Sequence, residues 1–182
     1  VVDAFVAIED QRFFEHQGID FRAIARALYR DILARSMVEG GSTITQQLAK
    51  NVFLTHEKKL MRKTEEALIA LKLEQRYTKQ QILEMYLNYI YFGHGAYGIQ
   101  AAAQVYFGKD AEDLELAEIA LLAALPKAPS HYSPLIEGNE ERSENRRKLV
   151  LRVMAEQGKI TEEERRQAEE TVLQFSQRGV TD

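Results

Sequence analysis

Two glutamates stand where helical winding would surround a carboxylate with hydrocarbon. In "VVDAFVAIEDQRFF" (1–14), a turn of about 100° per residue sets Glu9 among Val2, Phe5, Val6 and Phe13. A carboxylate there either finds a partner or is pushed toward its protonated form, and both states suit a general base or acid near neutral pH. Winding "LMRKTEEALIALKLEQRY" (60–77) separates two adjacent glutamates. Glu65 joins Arg62, Lys72 and Arg76 on a solvated face, while Glu66 turns inward with Lys63, Glu74, Ala67, Ala70 and Leu73. Lys63 and Glu66, at i,i+3, can reach each other. The competing account of both glutamates is a structural ion pair, Glu9 with Arg12 or a distant lysine and Glu66 with Lys63. Asp10 and His16 in "EDQRFFEHQGID" carry a weaker signal, and His16 fits a residue that orders the turn before Gly18.

A third stretch, "EGGSTITQQLAKN" (39–51), opens a helix with an excess of hydrogen-bonding groups. From Thr43 onward the side chains of Thr43, Gln47, Lys50 and Asn51 share an arc of roughly 100°, beside an apolar stripe of Ile44, Leu48 and Val52. The double glycine allows close backbone approach, and first-turn amides receive anions, so the stretch suits a sugar or a phosphate. A well-capped surface helix with one polar face explains the same letters.

These residues must be positioned by helices. Helical periodicity predicts elements at Val2–Glu9, Phe21–Arg35, Thr43–Phe53, Lys58–Tyr77, Lys79–Tyr91, Gly98–Phe107, Leu114–Leu125, Glu140–Glu156 and Thr161–Phe175. Thr43 with Gln46, and Thr161 with Glu164, have capping-box spacing. No alternating strand pattern and no repeat appears, so the fold class is all-α, arranged in two lobes. "LPKAPSHYSPL" (125–135) reads as the one long irregular segment, a linker or a functional loop.

The 182 residues carry a net charge of -4, which argues against nucleic acid as a partner. Without cysteine there is no disulfide and no thiolate metal site. The longest apolar run, "IALLAALP" near 119–126, is far below the ~20 residues of a spanning helix. The chain starts inside an apolar run and reads as a fragment, which leaves an upstream anchor open. "GHGAYG" (93–98) matches a dinucleotide fingerprint in letters, but it follows an amphipathic helix rather than a strand. "HEKKL" (56–60) lacks a zincin's second histidine. "MYLNYIYF" (85–92) and "NVFL" (51–54) read as core, with anchoring at an anionic membrane surface as the alternative.

Taken together and in order, "EDQRFFEHQGID", "GGSTITQQLAKN", "RKTEEALIALKLE", "ILEMYLNYIYFGHGAYGIQAAAQVYFGK" and "LPKAPSHYSP" resemble the signature blocks of the family 51 peptidoglycan glycosyltransferases. These occur as N-terminal domains of class A penicillin-binding proteins and as monofunctional enzymes. The resemblance covers roughly residues 5–135, and the helical tail (140–175) looks more like the class A form.

The resemblance implies a lysozyme-like fold: a larger globular lobe, a smaller membrane-facing jaw and a cleft between them. Residues 1–182 would form one glycosyltransferase domain, with a membrane anchor upstream and a transpeptidase domain downstream. It would sit at the outer, periplasmic face of the bacterial cytoplasmic membrane. The substrates implied are lipid II and the growing lipid-linked glycan. The 4-hydroxyl of lipid II attacks the anomeric carbon of that chain with inversion, a β-1,4 link forms and polyprenyl pyrophosphate leaves. Glu9 maps onto the base, Glu66 onto the glutamate assisting at the pyrophosphate, and Lys63 onto the lysine neutralising it. Ser42, Thr43, Gln47, Lys50, Asn51, Asn88 and Asp10 map onto substrate-binding positions. Glycolipid inhibitors of the moenomycin type would be further partners. The resemblance implies no definite cofactor, and a divalent cation, Mg or Mn, at the pyrophosphate is left open by the sequence. Lys58 and Lys59 depart from the arginine found there in many relatives. A lysozyme-like hydrolase or lytic transglycosylase is the alternative enzyme, and a helical docking scaffold the alternative outside catalysis.

Overall fold

The computed structural model describes residues 1–34, 40–54 and 61–176, and among these the fold is helical throughout, with one isolated bridge between Tyr91 and Tyr97. The helices are α1 (Val2–Glu9), α2 (Phe21–Ala34), α3 (Ile44–Leu48), α4 (Met61–Arg76), α5 (Lys79–Tyr89), α6 (Ile99–Phe107), α7 (Leu116–Ala124), α8 (Pro129–Tyr132), α9 (Glu140–Glu156) and α10 (Glu162–Glu170). They group into two compact units, one of residues 1–8 and 87–182, the other of residues 9–86. The expected all-α class in two parts is what forms.

In the first unit, the alanine-rich helix α7 packs along α9, because small side chains let the backbones approach closely. Helices α8 and α10 also pack against α9. Phe5 of α1 meets Phe92 edge-to-face at 5.9 Å. Arg147 of α9 is fully buried, yet its charge is met. It pairs with Glu144 and donates to the carbonyls of Ala168 (2.7 Å) and Glu169 (3.1 Å) at the end of α10, where a helix presents unpaired acceptors and negative potential. The Tyr106 hydroxyl donates to the Phe92 carbonyl at 2.6 Å, and burial pushes that phenol up to about 12.

The second unit holds α2, α3 and α4 with most of α5. Asp20 opens α2 by accepting from the Arg22 and Ala23 amides (3.0 and 3.1 Å) and from Arg12 (2.8 Å). Beyond that start, α2 buries only Ala27, while Phe21, Leu28, Tyr29, Ile32 and Leu33 lie exposed beside a row of Arg22, Arg26 and Arg30.

Several predicted elements differ from what forms. The helix expected over Thr43–Phe53 is α-helical only through Leu48 and continues as a π-turn at Ala49–Phe53, one residue wider per hydrogen bond. The segment expected as irregular contains the short α8, started by Pro129 at its first position. Helix α10 stops at Glu170, five residues before the expected Phe175. Thr171 takes the Gln167 carbonyl with its hydroxyl (2.8 Å), and the extended chain beyond stacks Phe175 on Phe107 at 5.6 Å. "GHGAYG" is a tight turn with positive φ at Gly93, His94 and Gly95, preceded by α5 and not by a strand. Lys58, Lys59, "HEKKL" and the predicted start of α4 lie outside the described residues.

Candidate active site

Glu9 is the last residue of α1 and half-buried, and its Oε2 accepts from Gln47 Nε2 at 3.0 Å. The next residue, Asp10, turns the other way. Its Oδ2 lies 2.6 Å from His16 Nε2 and accepts the Ile44 amide at 3.0 Å, with the side chain almost wholly buried. His16 Nδ1 in turn accepts the Gly18 amide at 3.0 Å, so Nε2 carries the ring proton and donates to Asp10. The expected turn-ordering role of His16 is therefore what its bonds show. Asp10, placed among the substrate-binding positions by sequence, holds the first turn of α3 to the end of α1, with the oxygen that does so already engaged twice.

Gly18 explains how three segments meet. Its φ of +102° suits glycine, and a Cβ there would come within 2.9 Å of the Ala70 carbonyl of α4. Its own carbonyl accepts from Thr43 Oγ1 at 2.7 Å. That hydroxyl also accepts the Gln46 amide at 3.0 Å while Gln46 Oε1 accepts the Thr43 amide at 2.9 Å, completing the predicted capping box. Thr43 is buried and its hydroxyl makes both of these bonds, so within this structure it shapes the loop rather than facing outward.

Lys63, in the first turn of α4, places Nζ 2.5 Å from Ser42 Oγ and 2.7 Å from Glu66 Oε1. The pair is lopsided: the Glu66 side chain is 3% exposed and that of Lys63 is 61% exposed. Glu65 is exposed, as the winding predicts; Lys63, expected inward, instead reaches in from the surface with only its ammonium engaged. The arrangement holds a cation at the surface on a buried carboxylate, one way to hold positive charge ready for an incoming anion.

The polar arc drawn from Thr43 is broken by the π-turn. Lys50 remains exposed, whereas Asn51 folds back and donates to the Gln47 carbonyl at 2.7 Å, serving the widened turn. Asn88 is exposed and belongs to the other unit, and there its carbonyl is pressed by Gly98, where a Cβ would overlap it. Among the described residues no three His, Cys, Asp or Glu side chains converge as a metal-ligand set. Sequence reasoning missed Tyr86, whose hydroxyl lies 3.2 Å from Gln47 Oε1. It sits in an aromatic run that reads as core, and nothing local announces a partner 39 residues away.

With this geometry in place, similarity to known proteins becomes informative. A family profile described as "Transglycosylase" matches residues 1–155. The chain belongs to the transglycosylase family. Among curated proteins, this transglycosylase domain is 57% identical over 164 residues to penicillin-binding protein 1F of Bacillus subtilis (strain 168), covering 90% of the chain and 23% of the relative. It is 56% identical over 168 residues to penicillin-binding protein 1A of Aquifex aeolicus (strain VF5), covering 92% of the chain and 23% of the relative. Among solved structures, the crystal structure of penicillin-binding protein 1A from Haemophilus influenzae shares the fold with a TM-score of 0.52 at 35% identity, covering 73% of the chain and 16% of that protein. The chain thus spans about a quarter of the length of these curated relatives, 23% in both cases. As a transglycosylase it is a glycosyl-transferring enzyme domain of peptidoglycan synthesis. No helix among the described residues is long and apolar enough to cross a membrane.

Proposed function

We propose that this domain polymerises lipid II into β-1,4-linked glycan. Glu9 takes the proton of the 4-hydroxyl of lipid II as that oxygen attacks the anomeric carbon of the lipid-linked chain. The new glycosidic bond forms with inversion as the bond to pyrophosphate breaks, and the electron pair leaves on the pyrophosphate oxygen. Lys63, held by Glu66 and Ser42, offsets the charge that develops there, and Lys50 adds to it. A pyrophosphate leaving group needs charge compensation more than protonation, which suits a lysine–glutamate pair better than a lone acid.

One observation carries this reading. The segment from Ser42 to Gln47 bonds the Lys63–Glu66 pair at one end and Glu9 at the other, so two carboxylates distant in sequence share one short wall. The exposed apolar stripe of α2 with its arginines supports work at an anionic membrane surface on a lipid-linked substrate. The periplasmic setting, a membrane anchor, a covalently linked transpeptidase domain and sensitivity to moenomycin-type glycolipids belong to the same proposal.

The test is turnover of lipid II in detergent micelles by the parent chain and by Glu9→Gln. The parent releases polyprenyl pyrophosphate and makes polymer, and Glu9→Gln folds but loses at least about a hundredfold in rate. Full activity in that variant removes Glu9 from the role of base. Cleavage of mature glycan without polymerisation would favour a lytic enzyme instead.

A further inference from the structure

We propose that Tyr86 is a positioning residue for Glu9, acting through the side-chain amide of Gln47; this rests on the reading of Glu9 as the base. The three groups form a line. The Tyr86 hydroxyl lies 3.2 Å from Gln47 Oε1, and Gln47 Nε2 lies 3.0 Å from Glu9 Oε2. An ionised carboxylate has only acceptors, so the amide atom beside it must be the NH₂. The amide oxygen then faces Tyr86, and the phenol has to donate. Proton donation runs in one direction, from Tyr86 to Gln47 to Glu9.

A glutamine amide is a two-faced group. Half a turn about its last bond exchanges oxygen and NH₂ at almost no steric cost. Turned the wrong way, it would set its oxygen against the Glu9 carboxylate and lose that hydrogen bond, leaving only an NH₂ donated to the phenol. The Gln47 backbone is already fixed: its N–H donates to the Thr43 carbonyl at 2.9 Å, and its carbonyl accepts from Asn51 at 2.7 Å. Glu9 sets which way the amide faces, and the Tyr86 hydroxyl holds the amide in place from its other side. The Tyr86 ring is fully buried, where phenylalanine would fill nearly the same space, so the hydroxyl is the part that packing does not explain. With the amide held, the Glu9 carboxylate keeps one orientation toward an incoming hydroxyl, and preorganisation of this kind is expressed in kcat rather than in binding.

The experiment compares parent, Tyr86→Phe, Gln47→Ala and the double variant on lipid II in micelles. Tyr86→Phe is expected to lower kcat about tenfold with KM within about twofold. In the Gln47→Ala background the same substitution should cost nothing further, since the residue through which it acts is gone. A Tyr86→Phe kcat within twofold of the parent overturns the proposal, as do losses that multiply independently in the double variant. A spectroscopic measurement that needs no turnover stands beside these. The Tyr86 hydroxyl proton should be protected from exchange with water, and the Gln47 amide signals, assigned by their loss in Gln47→Ala, should move in Tyr86→Phe. A freely exchanging hydroxyl, or unmoved amide signals, overturns it. A parent that makes no polymer refutes the functional reading alone, and the two spectroscopic results then decide the amide arrangement.

Discussion

Thr43→Val removes one oxygen and keeps the shape, which makes it a sharp probe of the loop that carries the site. That oxygen caps α3 by accepting the Gln46 amide and donates to the buried Gly18 carbonyl at 2.7 Å. Loss of the cap costs about 1 kcal/mol, and a stranded buried carbonyl costs about 1–2 kcal/mol more. The sum, about 2–3 kcal/mol, corresponds to a fall of roughly 8 °C in Tm for a chain of this size. Thr43→Ser keeps both hydrogen bonds and loses a methyl, worth about 0.8 kcal/mol, or a fall of about 2–3 °C. Thermal unfolding of the three proteins side by side measures the difference. If valine is no more damaging than serine, the hydroxyl does not hold the loop and the account of Thr43 given above is wrong. KM for lipid II in Thr43→Ser is the companion measurement: a large rise would mean that the residue meets substrate after all.

Two further predictions concern stability. Gly18→Ala drives a methyl toward the Ala70 carbonyl in a backbone region that L-residues avoid, and should cost about 2–3 kcal/mol, seen as a lower urea midpoint with an unchanged slope. Glu144 is held below the usual carboxylate range first by its hydrogen bond from Arg147, against opposing desolvation, with charge attraction from Arg147 and Lys148 added. A depressed carboxyl stabilises the fold above its unfolded value of about 4.3 and loses that contribution as pH falls through the lower folded value. The parent should therefore lose more stability than Glu144→Gln as pH is lowered from about 5 to about 3, by under about 1 kcal/mol because the carboxylate is part-exposed. Equal pH dependence in the two proteins would dismiss the pairing as a source of stability.

Local rules carry far in this chain. Both predicted capping boxes form, because a threonine and a residue three places on need only one helical turn to meet. The inward Glu66 and outward Glu65 follow from winding alone. What periodicity cannot see is decided by distant partners. Ser42 receives Lys63 from 21 residues away, and Tyr86 reaches Gln47 across 39. The π-turn after Leu48 widens the helix and turns Asn51 back on its own backbone, which no 3.6-residue wheel anticipates. Lys63 was misplaced for a related reason: a lysine stem can lie on the surface while its tip enters a buried pair.

The two acidic residues at the end of α1 divide their duties between neighbours. Asp10 moors the strand of chain to His16 and to the head of α3, and Glu9 is left to face outward from that mooring. Because the anchor is one place removed from the proposed base, substituting the latter leaves the former untouched. A Glu9-substituted protein should therefore make a faithful trap, keeping its architecture while detaining donor and acceptor sugars that it can no longer join.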